Sequence, residues 1–213
     1  MELSVHNFTV PGTGRAQFPH IAIVPPAFLV IAGPNGAGKS SYLGEVASGK
    51  VDIAADGRTC DPRPLLIPQD YRPFLFPYHT AWWNVAVLQL CAASTSAQRR
   101  ELKYRAIASL TQFLPAVNPT RFAATLSGGE AHTLCLLRTL YTDSDLLLLD
   151  EPTAGLDALR VSALRTLVGV LANANKHVII VTHDLAVFGD SLTPVATAIG
   201  VHDEKINLFL GQT

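Results

Sequence analysis

The chain has 213 residues, 48% of them hydrophobic and 15% charged, which is enough to build one large domain around a substantial core. Its formal net charge is −1 and no run of Lys or Arg appears, which excludes general electrostatic attraction to nucleic acid or anionic lipid. In chain order, Met1 to His6 lacks a basic segment leading into an apolar one, so no leader is expected. Leu3 to Val10 alternates as a strand, and Ile21 to Val24 and Phe28 to Ala32 are short apolar runs divided by the strand-breaking pair Pro25-Pro26. Val51 to Arg58 reads as a hairpin with an Asp-Gly turn, and Leu65 to Ile67 leads to Gln69. From Trp82 to Leu114 the pattern turns helical, and Pro115 and Pro119 close it. Ser127 to Leu140 reads as a helix, Leu146 to Leu149 as a buried strand, Ala158 to Ala174 as an amphipathic helix and Val178 to Val181 as another buried strand.

Short buried strands alternating with helices predict an α/β domain with a mainly parallel core sheet. A small antiparallel part and an inserted helical lobe of about residues 82–126 complete a single domain over 1–213. No stretch approaches the ~18 uninterrupted apolar residues of a membrane span, and only three residues follow Phe209-Leu210, so no C-terminal regulatory domain is expected. Cys60, Cys91 and Cys135 are an odd number without C-x-x-C spacing and read as reduced packing residues.

Gly33-Pro34-Asn35-Gly36-Ala37-Gly38-Lys39-Ser40 is a complete G-x-x-x-x-G-K-S loop between an apolar run and a helix-compatible stretch. Its glycines let backbone N–H groups turn toward phosphate oxygens, and the following helix N-terminus adds partial positive charge. Lys39 can reach β- and γ-phosphates, and the Ser40 hydroxyl suits Mg²⁺. Asp150-Glu151 ends a buried leucine run, where one carboxylate can hold Mg²⁺ and the other can orient water. His183 follows Ile179 to Thr182 at the end of another buried strand, on the side of a parallel sheet where functional groups gather.

Leu126-Ser127-Gly128-Gly129-Glu130, followed by Leu146 to Glu151, resembles the signature and Walker B segments of ATP-binding cassette (ABC) proteins. The resemblance continues through Pro152-Thr153-Ala154-Gly155-Leu156-Asp157 and Val181-Thr182-His183-Asp184. It implies ATP and Mg²⁺ as ligands. The nucleotide would lie on Gly33 to Ser40 and the adjoining Ser41, and the metal on Ser40, Gln69 and Asp150. The resemblance further implies Glu151 as the catalytic carboxylate, Gln69 as the linking glutamine and His183 as the switch histidine.

It also implies a head-to-tail pair with a second cassette, identical or different, in which Ser127, Gly128 and Gly129 face the partner's nucleotide and Asp157 crosses the interface. Asp157 can equally cap the helix from Ala158. Importer-like cassettes drive separate integral membrane subunits, so the expected place is the cytoplasmic face of a membrane, reached through those partners. A soluble cassette acting on a macromolecular or cofactor-assembly complex is the alternative, and a nucleotide-gated module with little turnover is a third.

Two departures stand out. Ala131-His132-Thr133 replaces the usual glutamine-rich, arginine-containing turn, and only Phe8 and Phe18 offer an adenine-stacking aromatic. His6, His20, His79, His132, His177 and His202 have no motif context and read as packing residues. Leu75 to Val85 resembles the importer segment on which a membrane subunit docks, with Trp82-Trp83 at positions that are commonly charged. Adjacent residues on a helix point about 100° apart, so either both fill the lobe's core or one of them anchors a partner.

Overall fold

The structure is a computed structural model that describes residues 28–48, 64–199 and 205–211, and the backbone of six short strand segments elsewhere. These segments are β1 (Glu2–Leu3), β2 (Phe8–Val10), β3 (Gly14–Ala16), β4 (Ile21–Ala22), β6 (Ile53–Ala55) and β7 (Arg58–Thr59). The chain divides into two compact units, one of residues 1–69, 144–153 and 168–213, the other of 70–143 and 154–167.

The first unit is built on a six-stranded sheet. Its strands are β5 (Phe28–Ala32), β8 (Leu65–Ile67), β9 (Leu146–Asp150), β10 (His177–Thr182), β11 (Leu192–Ile199) and β12 (Lys205–Gly211), in the order β11-β12-β5-β10-β9-β8. The four strands β5, β10, β9 and β8 are parallel, with Ile180 opposite both Val30 and Leu149. Every residue of β5 and β9 is buried, as both faces of a covered parallel sheet require. Helix α1 (Lys39–Ala47) buries Tyr42, Leu43 and Val46. Because the four strands run the same way, their C-terminal ends all open on one edge of the sheet, where a doubly wound fold collects its ligands.

Most of the expected elements are present, with boundaries moved by up to three residues; the helix expected over Ser127 to Leu140 is α-helical only from Gly128 to Leu137. The expected strand over Leu3 to Val10 corresponds to β1 and β2, with residues 4–7 outside the described residues; Ile23 and Val24 also lie outside them. β6 and β7 form the expected hairpin, Ala55 pairing with Arg58 across two residues. β1 joins β4 and β6 in a four-stranded antiparallel sheet, and β2 pairs with β3. The antiparallel hairpin β11–β12 was not anticipated. It extends the core sheet, with Leu208 of β12 opposite Ile31 of β5.

The second unit holds α2 (Ala81–Ala92), α3 (Ser96–Phe113), α4 (Gly128–Leu137) and the start of α5 (Ala158–Asn173). The helical pattern from Trp82 to Leu114 is therefore two helices. The break falls at Thr95, whose hydroxyl accepts from Gln98 N at 3.2 Å while Gln98 Oε1 accepts from Thr95 N at 3.0 Å, a capping box that starts α3 afresh. Apolar side chains of these helices, Val85, Leu90, Leu102, Leu110 and Leu134 among them, are buried.

A polar network is buried with them. Asn84, fully buried, accepts from Phe76 N at 2.9 Å and donates to Phe76 O at 3.0 Å and Thr80 O at 3.1 Å. Arg138, just past α4, donates from Nε to Asn84 O at 2.7 Å, from Nη2 to Asn84 Oδ1 at 3.0 Å, and from Nη1 to Phe74 O. Together they fix the segment 74–80, which leaves Phe74, Phe76 and Tyr78 exposed. Both tryptophans are half-buried. Trp82 lies beneath the Lys103 ammonium, and Trp83 stacks on His79 at 3.8 Å with its edge to Phe76. Cys135 is buried, whereas Cys91 is exposed on α2 and is not a packing residue; Cys60 lies outside the described residues.

Candidate functional site

In the first unit, β5 ends at Ala32 and the chain turns through Gly33 to Gly38 into α1. Gly36 and Gly38 take φ of 83° and 90°, left-handed conformations that a side chain would strain, so only glycine makes this turn freely. Gly38 is also the N-cap of α1 and offers no side-chain cap, so the first N–H groups of the helix are left for an anion. The Lys39 ammonium curls over the loop and donates to Gly33 O at 2.7 Å and Pro34 O at 2.8 Å. Burial lowers its pKa, opposed by the charges of Glu151 and Asp150. Pro34, Asn35, Ser40 and Ser41 are exposed along the same turn.

The end of β9 brings the carboxylates to this loop. Ser40 Oγ donates to Asp150 Oδ1 at 2.9 Å, which places two hard oxygen ligands side by side. Burial raises the Asp150 pKa and Glu151 adds to that, while the Ser40 hydrogen bond and Lys39 lower it. Among the described residues no group of three or more His, Cys, Asp or Glu side chains is arranged to hold a metal. The Ser40–Asp150 pair therefore fits a Mg²⁺ that draws its remaining ligands from phosphate and water, as that ion commonly does.

Glu151 continues the ladder one residue beyond β9, its N–H donating to Val181 O at 2.8 Å. It does so at φ 46°, an uncommon backbone for a residue with a side chain. Its Oε2 accepts from His183 Nδ1 at 2.9 Å and from His183 N at 3.3 Å. A carboxylate oxygen accepts, so Nδ1 carries the hydrogen and Nε2 is left to act elsewhere on an exposed ring. The structure gathers Lys39, Ser40, Asp150, Glu151 and His183, which are scattered along the sequence, at the ends of three neighbouring parallel strands. Gln69, two residues beyond β8, is exposed.

The second unit gathers the other predicted group. Ser127 caps α4: its hydroxyl accepts from Glu130 N at 3.3 Å, and Glu130 Oε2 accepts from Ser127 N at 2.8 Å. That backbone bond holds the Glu130 carboxyl below its ordinary pKa. Gly128 is exposed, and Gly129 packs so near the Arg160 side chain that an added Cβ would lie 3.3 Å from its Cδ. Asp157 is the N-cap of α5, accepting from Arg160 N at 2.9 Å and pairing with the Arg160 guanidinium, which also stands 3.9 Å from Glu130.

His132, read as a packing residue, is buried, and it stacks flat on Tyr71, whose hydroxyl donates to Gly128 O at 2.8 Å. Neither Tyr71 nor Arg160 stood out in the sequence. Proximity of Tyr71 to Gln69 and of Arg160 to Asp157 was the available signal. Phe8 opens β2, and Phe18 lies outside the described residues.

Residues 20–154 match the family described as ABC transporter. The chain is 34% identical over 178 residues to the molybdenum import ATP-binding protein ModC of Mycobacterium tuberculosis, covering 74% of this chain and 47% of that protein. It is 34% identical over 185 residues to the aliphatic sulfonates import ATP-binding protein SsuB 3 of Nocardia farcinica, covering 83% of this chain and 70% of that one. It thus spans about half the length of the first of these relatives. Among solved structures, cbiO1 from Clostridium perfringens, part of the ABC transporter complex cbiONQ, superposes with a TM-score of 0.67 at 23% identity, covering 86% of this chain and 78% of that one. The ATP-binding cassette MJ0796, in a dimeric post-hydrolysis state bound to ADP and Pi, superposes with a TM-score of 0.64 at 21% identity, covering 87% and 89%. These two likenesses establish the cassette fold of the phosphate-loop ATPases.

Proposed function

This chain belongs to the ABC transporter family, and from that membership and the geometry of its phosphate loop we propose that it is the ATP-binding, ATP-hydrolysing subunit of an importer. It binds Mg-ATP on Gly33 to Ser41 and pairs head to tail with a second cassette. Hydrolysis then drives membrane subunits that are separate chains. The observation that carries this reading is the convergence of Lys39, Ser40, Asp150, Glu151 and His183 on one edge of the parallel sheet.

Each residue has a role that its position supports. Lys39 faces the β- and γ-phosphates in place of the carbonyls it now meets, and the uncapped start of α1 takes up phosphate oxygens. Ser40 and Asp150 hold Mg²⁺, with Gln69 as a third ligand from the end of β8. Mg²⁺ held there would supply positive charge against the phosphates. Glu151 accepts a hydrogen bond from the attacking water, and His183, oriented through Nδ1, presents Nε2 to the γ-phosphate. Phosphoryl transfer asks mainly for positioning and charge, which is what these groups supply. Ser127, Gly128 and Gly129 complete the partner's site, and Asp157 crosses to it.

Import is the direction named for the molybdenum and sulfonate relatives. Among the described residues no helix is long and apolar enough to cross a membrane. In this reading the passage is formed by partner chains, and this chain works with them at the cytoplasmic face. The exposed aromatic residues Phe74, Phe76 and Tyr78 offer those partners a surface.

Calorimetry of ATP binding tests the nucleotide site. Lys39→Ala is expected to weaken affinity at least about tenfold by deleting the cation that faces the phosphates. Unchanged affinity would contradict the assignment.

A further inference from the structure

His132 follows the first turn of α4, where the chain departs from the usual glutamine-rich segment, and it is 1% exposed. Its ring stacks on Tyr71 with centroids 4.6 Å apart and planes 8° from parallel. Its Nδ1 is 3.2 Å from Ala154 O. A carbonyl can only accept, so Nδ1 bears the hydrogen and the ring is the Nδ1–H tautomer. Among the described residues the buried Nε2 has no hydrogen-bond partner, and burial lowers the pKa of the ring, so the neutral form is the one that fits.

Tyr71 is tied at both ends. Its hydroxyl donates to Gly128 O at 2.8 Å, and its own carbonyl is approached by Cys135 Sγ at 3.9 Å. Ala154, on the other side of His132, leads in three residues to Asp157, which Arg160 holds while also standing near Glu130. One imidazole therefore joins three segments: the residues that follow Gln69, the signature turn, and the loop that ends in Asp157. It uses a flat face for the first and a donor for the last. A glutamine supplies a donor without that aromatic face, and a phenylalanine supplies the face without the donor.

We propose that His132 is a positioning residue that locks Tyr71, the Ser127–Gly129 turn and the Ala154–Asp157 loop into one body, so that the signature reaches the partner cassette's nucleotide in a single geometry. This rests on the shared-site reading above. His132 is 1% exposed and so has no surface to offer a nucleotide. Its removal therefore acts on the rate of turnover and not on the chain's own grip on ATP.

Two readouts on the full chain keep this proposal separate from that reading. Hydrogen exchange of backbone amides needs no nucleotide. His132→Phe keeps the stack and the volume, and is expected to raise exchange at least about tenfold in residues 127–131 and 153–157 while α2 and α3 stay at wild-type rates. Steady-state ATP turnover then reads the consequence, a kcat lower by at least about tenfold with KM within about threefold of wild type. Tyr71→Phe, which keeps the stack and deletes only the bond to Gly128, is expected to reproduce the first effect at 127–131 alone.

Wild-type exchange in both segments of His132→Phe would overturn the lock, and raised exchange with an unchanged kcat would overturn its role in turnover. If the wild-type chain itself hydrolyses no ATP, the shared-site reading fails, and the exchange experiment still decides whether His132 joins the three segments.

Discussion

Glu151 occupies a backbone conformation with φ 46°, uncommon for any residue with a side chain, and is held there by its N–H bond to Val181 O and by the two bonds from His183. In the proposed function this carboxylate accepts a hydrogen bond from the attacking water. Glu151→Gln keeps the shape but loses the carboxylate, so steady-state turnover should fall at least about a hundredfold while ATP affinity stays within about twofold. An ATP-bound dimer should then accumulate, visible by sedimentation. Turnover near the wild-type rate would remove Glu151 from that role.

His132 supplies a pH dependence at the same scale. Its folded-state pKa is lowered by burial, so the unfolded chain binds the extra proton first. Its contribution is complete above the unfolded value of about 6.5 and is lost as pH falls from there through the lowered folded value. Urea midpoints from pH 8 to 5 should therefore drop more steeply for wild type than for His132→Phe; parallel curves would contradict the buried neutral ring. The motif residues Lys39, Ser40, Asp150 and Glu151 were legible because their spacing and flanking apolar runs identify a loop and a strand end in one dimension. His132 was not, because the Ala154 partner is 22 residues away and the Tyr71 partner farther still, and a lone histidine carries no local pattern.

Among elements, the join between α4 and the aromatic segment 74–80 depends on Arg138, a buried guanidinium that has no acidic partner among the described residues. Burial lowers its pKa, and carbonyl and amide oxygens hold it instead. Arg138→Met fills much of the volume but deletes the guanidinium's bonds to Phe74 O, Asn84 O and Asn84 Oδ1. It should destabilise the chain by about 2–4 kcal/mol in urea unfolding. Arg138→Lys should recover little, since one ammonium cannot serve the three oxygens in their fork geometry. A loss below about 0.5 kcal/mol for Arg138→Met would show that the network does not hold the segment.

The strands β5, β9 and β10 were readable as unbroken apolar runs because both of their faces are buried. The hairpin β11–β12 was not. β12 alternates Lys205 exposed, Ile206 buried, Asn207 exposed and Leu208 buried, and its meaning depends on β5, some 170 residues earlier, as its neighbour. The break between α2 and α3 was written in Thr95 and Gln98, a capping signal that a helical apolar pattern on either side concealed.

For the whole molecule the proposal is a site that one chain cannot complete: phosphate loop and carboxylates from one copy, signature turn from another. The resemblance made that organisation readable, since the signature and the phosphate loop are separate sequence motifs; the residues that tie each group together came only from the structure. Gly128 permits a direct trial. It is the exposed first residue of α4, an added Cβ would meet only the Tyr71 hydroxyl at an ordinary 3.5 Å, and an acid in the first helical turn is favoured by the helix dipole.

Gly128→Asp should therefore fold like the wild type while placing a carboxylate where the partner's γ-phosphate is to be bound. ATP turnover measured beside ATP affinity decides the matter. The prediction is an affinity within about twofold of wild type, with turnover and ATP-dependent dimerisation reduced at least about a hundredfold. Wild-type turnover from a folded Gly128→Asp chain would contradict the shared site.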